Sequence, residues 1–297
     1  MFLVAPLTTS ADDGDRDVEE LVERLTTDGV TIANQPIKLR PMWLADGIDA
    51  GEQAKITDKI AGRRKKQFYR DSISATFESD IESIKDGERR AGYVVDFAFI
   101  VYASLDDLLK KNDDDQSGIN SLANESEMTV TELTPKPGDA EGAGDAGDAE
   151  GAGDADGDSD KAENSRLVHG EFTLLEKVFI SSVVGSSMKK TEESFTVAWE
   201  QDRSFDEPGE VSNSWKFVDA TIANEPAVYN GFAGYAKVTK LKAPKGALLV
   251  EYHYAFAEPK EWSEQKISLR AKLSMVLQES VRKSRRHIKK MAAAAKQ

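Results

Sequence analysis

The tract from 135 to 163 decides what the rest of this chain can be. It repeats the nonapeptide GDAEGAGDA, and it holds ten acids against two lysines with no large apolar side chain. Such a segment buries nothing that could offset the conformational entropy of ordering, and its like charges keep it extended. It is expected to be a disordered acidic linker between an N-terminal part, 12–134, and a C-terminal part, 164–297. The alternative organisation is one composite sheet fed by both parts, with the tract a long surface insertion.

Several function classes fall away at once. The 297 residues include no cysteine, which removes thiol nucleophiles, disulfide scaffolds and zinc-thiolate or iron-sulfur sites. No apolar run approaches the roughly 20 residues that a transmembrane helix needs. The formal charge of −14 repels phosphate backbones, so any nucleic-acid role requires a local basic surface. One exists at 264–297, where ten Lys or Arg stand against two Glu. The first fifteen residues, MFLVAPLTTSADDGD, lack the basic start of a secretory signal. They read either as a frayed terminus or as the tail of a signal that begins upstream, and location stays open between cell envelope, slightly favoured, and cytoplasm.

In the N-terminal part, Val18, Leu21, Val22 and Leu25 follow the i, i+3, i+4, i+7 spacing of an amphipathic helix between Asp15 and Gly29. A small hairpin is expected over 30–40, turning at 33–36, and a second helix over 51–61, closing at Gly62. The run from Arg63 to Arg70 sets five cations around Phe68 and Tyr69. It could grip a phosphate chain, yet cations past a helix C-terminus are also explained by the helix dipole. Residues 93–103 alternate large side chains on both faces and predict a strand buried on both sides, with 73–84 as its antiparallel neighbour and another strand at 126–133. Asp96 is the one carboxylate on that strand. Residues 113–118, DDDQSG, open like a calcium-binding loop, but Asn124 stands where the bidentate Glu belongs, so no metal site is assigned.

The C-terminal part predicts strands over 172–181, 195–200, 235–241 and 247–257, the last two joined as a hairpin by Ala243-Pro244-Lys245-Gly246. On the last strand Leu248, Val250, Tyr252, Tyr254 and Phe256 face one way, while Glu251 and His253 face the other. Glu251 and His253, with Glu258 nearby, are the candidate acid/base pair; a polar strand face would show the same residues. Ser186 and Lys189 have the spacing of a serine acyl-enzyme, but 185–193 reads as an exposed hairpin loop without the partner motifs. Trp215, Tyr229, Phe232 and Tyr235 are the candidate ligand-binding aromatics, set against the alternative of a cluster closing the end of a sheet. Leu269, Leu273, Leu277, Val281, Ser284, Ile288 and Met291 then follow one face of a C-terminal helix. Arg282, Lys283, Arg285, Arg286, Lys289 and Lys290 make up its basic surface.

The expected fold is α+β: antiparallel β-sheets, short N-terminal helices and a long basic C-terminal helix. No cofactor motif is present. The expected function is a non-catalytic binding or structural protein, exported in one of its two readings, that recognises a protein or cell-envelope partner through C-terminal aromatic loops or the basic helix. The basic helix itself is expected to dock within the molecule. The alternatives are a hydrolase-like enzyme centred on Glu251 and His253, and a nucleic-acid-associated protein using 63–70 with the C-terminal helix, nucleic acid being the weaker partner.

Overall fold

A strand with large side chains on both faces needs a cover on each, and that requirement organises the molecule. The structure, a computed structural model, describes residues 17–109, 129–133, 165–219, 225–264 and 269–294. The N-terminal apolar stretch, the calcium-like loop at 113–118 and the acidic tract lie outside the described residues.

The chain enters through α1 (Val18–Thr27), capped by the Asp17 side chain accepting from the Glu19 amide at 3.0 Å. A hairpin of β1 (Val30–Ile32) and β2 (Gln35–Ile37) follows, turning on Ala33 and Asn34, both at positive φ. Two left-handed residues between paired strands match the right-handed strand twist. Next come α2 (Ala50–Ala61), a single 3-10 turn, and α3 (Lys65–Phe68). Asp49 caps α2 through the Gly51 and Glu52 amides, and Gly62 ends it at φ +53.

Among the described residues the ten remaining strands join one antiparallel sheet. They are β3 (Glu78–Asp86), β4 (Arg89–Tyr102), β5 (Thr129–Glu132), β6 (Ser165–Leu174), β7 (Val178–Lys190), β8 (Ser194–Gln201), β9 (Ser214–Phe217), β10 (Ala227–Val228), β11 (Phe232–Lys240) and β12 (Ala247–Ala257). The main path runs β10-β9-β7-β8-β11-β12-β4-β3, with β6 along the other edge of β7 and β5 on β6. Helix α4 (Leu105–Leu109) follows β4; α5 (Lys260–Glu264) and α6 (Leu269–Ala294) close the chain. The α+β architecture with a long C-terminal helix is therefore the observed one. Strands from both sides of the acidic tract meet where β4 pairs with β12, Asp96 opposite His253 and Phe97 opposite Tyr252.

The two covers differ. On the inner face α6 packs on β4 and α4, burying Leu269, Leu273, Leu277, Val281 and Ile288. Each such side chain contributes about 1.5–3 kcal/mol of transfer free energy. The far end of α6 is fastened by Arg285, which is 3% exposed and donates to the carbonyls of Ile100, Ala75 and Thr76. Burial lowers its guanidinium to about 10. On the outer face α1 lies over β7, β8 and β11. Residues of the 38–75 segment, Leu44, Ala61 and Phe68 among them, cluster with Ala98, Ile100 and Leu249.

Two expectations about local structure need correction. The stretch 172–181 is not one strand, because Leu175 and Glu176 both take positive φ and turn the chain from β6 into β7. Residues 185–190 are not an exposed loop but the second half of β7, with Ser186 and Ser187 buried. Small hydroxylated side chains fit there because their strand is paired on both edges.

Candidate functional site

The alternation of β12 sends Tyr254 and Phe256 to the inner face, where the helical spacing of Leu269, Leu273 and Val276 aims the first two turns of α6 at them. Phe172 and Leu174 from β6, Ile180 from β7, and Tyr229 and Phe232 beside β11 complete the walls of an apolar pocket. Its cavity is about 50 Å³. Leu174, Phe232 and Val276 are half-buried, so this end of the pocket is where solvent reaches the lining. Exposed Met275 lies next to it in α6.

The side-chain polar atoms of the lining are the hydroxyls of Tyr229 and Tyr254. Tyr229 donates its hydroxyl to the Ala257 carbonyl at 3.2 Å, and burial pushes its ionisation well above the ordinary phenol range. Tyr254 is raised in the same way, by burial first and by the charges of its neighbourhood second. Trp262 stacks on Tyr229 at 6.3 Å and Trp199 on Phe232 at 6.0 Å, backing the wall with indoles. Gly234 is required behind it, since a Cβ there would lie 2.4 Å from the Tyr254 Cβ and 2.8 Å from the Trp199 ring.

The opposite face of the same strands carries charge. Asp96, His253 and Tyr235 occupy paired positions on β4, β12 and β11, and paired residues point to the same side. His253 Nδ1 is 2.6 Å from Asp96 Oδ1, and its Nε2 is 3.1 Å from Glu251 Oε2. Glu251 and His253 are fully buried and Asp96 is 3% exposed. Burial works to lower the imidazole's proton affinity, but the hydrogen bonds to Asp96 and Glu251 outweigh it and hold His253 above its ordinary value. The Trp43 amide donates to Glu251 Oε2 at 2.7 Å, and Lys237 is fixed by Asp46 at 2.7 Å and the Leu44 carbonyl at 2.9 Å.

The candidates named from the sequence thus separate. Tyr229 and Phe232 line the pocket. Trp215 packs against Phe217 and Trp262 behind it, while Tyr235 joins the charged face, 4.9 Å from the His253 ring. Glu251 and His253 come together, but Glu258 is elsewhere, ion-paired with Arg90. On α6, Arg285 is buried, Arg286 lies 3.6 Å from Glu279 and Lys289 pairs with Asp71 at 2.8 Å; Arg282 and Lys283 are half-buried and Lys290 is exposed. Among the described residues no group of His, Asp or Glu gathers as a metal site would, and no described helix is long and apolar enough to cross a membrane. The residues that sequence reasoning missed are Phe172, Leu174 and Ile180 of the pocket, and Arg40, Trp43 and Lys237 of the cluster; the sequence singles out Asp96, but without its partner His253. Their partners are remote in sequence, and no periodicity within a strand reveals them.

Neither a protein-family model nor a curated protein matches the chain. Solved structures similar to it include human StAR-related lipid transfer protein 5, with 7% identity and a TM-score of 0.36, covering 84% of this chain and 100% of that one. The human StarD13 (DLC2) lipid transfer and protein localization domain has 10% identity and a TM-score of 0.37, covering 82% and 98%. Likenesses this remote assign no function.

The expectation of an exported structural or partner-binding protein acting through its C-terminal aromatic loops is overturned by where those aromatics lie. The aromatic residues meant to face a partner are interior: Trp215 is 5%, Tyr229 2% and Tyr235 0% exposed, and Phe232 is half-buried. The hydrolase-like alternative fails because a substrate cannot reach a His and a Glu that are both fully buried. The nucleic-acid alternative fails as well. Arg64 and Lys65 are paired with Glu78 and Asp58, and Arg285 is turned inward, which withdraws three of the cations that this alternative named.

Proposed function

We propose that this chain binds a narrow apolar ligand, an alkyl or acyl chain, in the pocket between the inner face of the sheet and the start of α6. One observation carries the reading: a cavity of about 50 Å³ lined by apolar and aromatic side chains, reached past half-buried Leu174, Phe232 and Val276. Apolar cavities of this kind stay dry and take apolar guests, and one of roughly 150 Å³ is enough for benzene. The smaller cavity here suits the end of a chain better than a ring. The absence of any ionisable lining group apart from strongly protonated tyrosines favours hydrocarbon over a headgroup. The pocket carries this reading, and the remote likeness in fold adds nothing to it.

The test is a titration of the purified, delipidated chain with the neutral fluorophore N-decyl dansylamide, whose alkyl tail is the part that enters the cavity, followed by displacement with decanol and decanoate. One saturable equivalent, displaced comparably by both competitors, is the expected result. At a hundredfold excess over Kd, decanol should stabilise the fold by about 2.7 kcal/mol, read as a rise in Tm. Unsaturable binding, or no rise in Tm, would overturn the proposal.

A further inference from the structure

Residues 40–46 cross the charged outer face, and nearly every tie that holds them leads to the surroundings of one imidazole. Arg40 lies 2.8 Å from Asp80 and 3.4 Å from Asp96, and its carbonyl accepts the Tyr235 hydroxyl. The Trp43 amide donates to Glu251, and its ring stands edge-on to His253 at 4.6 Å. Leu44 and Asp46 are held by Lys237, which is directly opposite Glu251 on the neighbouring strand.

Glu251 is the weak point. It is fully buried, its Oε1 has no hydrogen-bond partner, and its Oε2 takes one donor from the strap and one from His253. An unpaired buried carboxylate oxygen costs heavily, so the remaining donors matter more than usual. With both carboxylates ionised, His253 can donate to Asp96 and Glu251 together only with protons on both ring nitrogens. With one proton it keeps the shorter bond to Asp96, and a ring lone pair then faces Glu251 Oε2.

We propose that His253 is a proton-operated latch: the imidazolium fastens residues 40–46 across the sheet, and loss of its proton releases them. Without that proton, Glu251 retains the Trp43 amide alone in a site closed to water. Opening the strap hydrates the carboxylate and relieves the strain. The other charges facing the ring do not replace the lost one. Asp96, Asp80 and Asp46 are acids, Arg40 is committed to two of them, Lys237 to the third, and burial keeps the Tyr235 hydroxyl protonated.

The direction of the pH effect follows from the raised proton affinity of the closed state. The strap is fully fastened below the ordinary imidazole value near 6.5, and it is lost as pH rises through the higher value of the closed state. Within that window the opening constant should grow about tenfold per pH unit.

Hydrogen-deuterium exchange on the full chain between pH 6 and 9, with rates divided by the intrinsic rate at each pH, tests this. The Trp43 amide should lose about tenfold protection per pH unit within the window, while amides of β7 keep theirs. Flat protection at Trp43, or an equal loss in β7, would overturn the latch. The His253→Gln variant should show low, pH-independent protection over 40–46; a retained pH dependence would also overturn it. If that variant does not fold, the carbon-13 titration of His253 in the natural chain decides. A midpoint that coincides with the loss of protection supports the latch, and a midpoint at or below 6.5 refutes it.

Discussion

Strand β12 is buried along its whole length, yet its two faces are held by opposite means. Tyr254 and Phe256 meet a helix through packing, and Tyr252 stacks on Phe97 at 4.6 Å with rings nearly parallel. Glu251 and His253, the residues between, meet the strap at 40–46 through directional bonds in which each group depends on a particular partner. Packing tolerates a gap, as the cavity beside α6 shows, and a gap can admit a guest. A buried charge network tolerates none, because removing one member leaves another unpaired. One face is therefore suited to yielding to a ligand, and the other to locking the fold or switching with protonation.

The contrast predicts unequal costs. Asp96→Ala should be the most damaging single change, since it strips His253 and Arg40 of a shared buried anion. A loss of about 3–5 kcal/mol is expected in chemical denaturation, and a loss below 1 kcal/mol would mean that the outer face is not a true network. Gly234→Ala presses a methyl into Tyr254 and Trp199 on the inner face. Overpacking there should cost about 1–3 kcal/mol and weaken probe binding, which the same denaturation curves and a fluorescence titration would show together. Lys189→Ala removes an exposed partner of Glu19, 2.6 Å away but more than a third exposed, and should shift stability by no more than about 0.5 kcal/mol. A larger effect would show that surface pairs matter here as much as buried ones.

Both faces were partly legible in the sequence, and the limits follow from chain separation. The alternation of β4 and β12, the β11–β12 hairpin and the apolar stripe of α6 are local periodic signals, and each corresponds to an element of the fold. The β6–β7 turn was hidden because Leu175 and Glu176 adopt left-handed conformations usually given to Gly or Asn. The Ser-rich half of β7 reads as loop by composition, although pairing on both edges makes it strand. Spacing placed Glu251 beside His253, but Asp96 lies 157 residues from that imidazole and joins it only through the pairing of β4 with β12. Tyr229 and Phe232 stood out as aromatics next to glycine, whereas Phe172, Leu174 and Ile180 became pocket walls only once β6 and β7 folded over them.

The most direct test of the pocket is to fill it. Leu273→Trp places an indole where the first turns of α6 face Tyr254 and Phe256, on the side of the sheet away from His253. A fluorescence titration of this variant with N-decyl dansylamide should show at least a tenfold weaker affinity than the natural chain, with the cooperative unfolding transition retained. Unchanged affinity in a folded Leu273→Trp variant would contradict the account, because the ligand would then have to bind somewhere else.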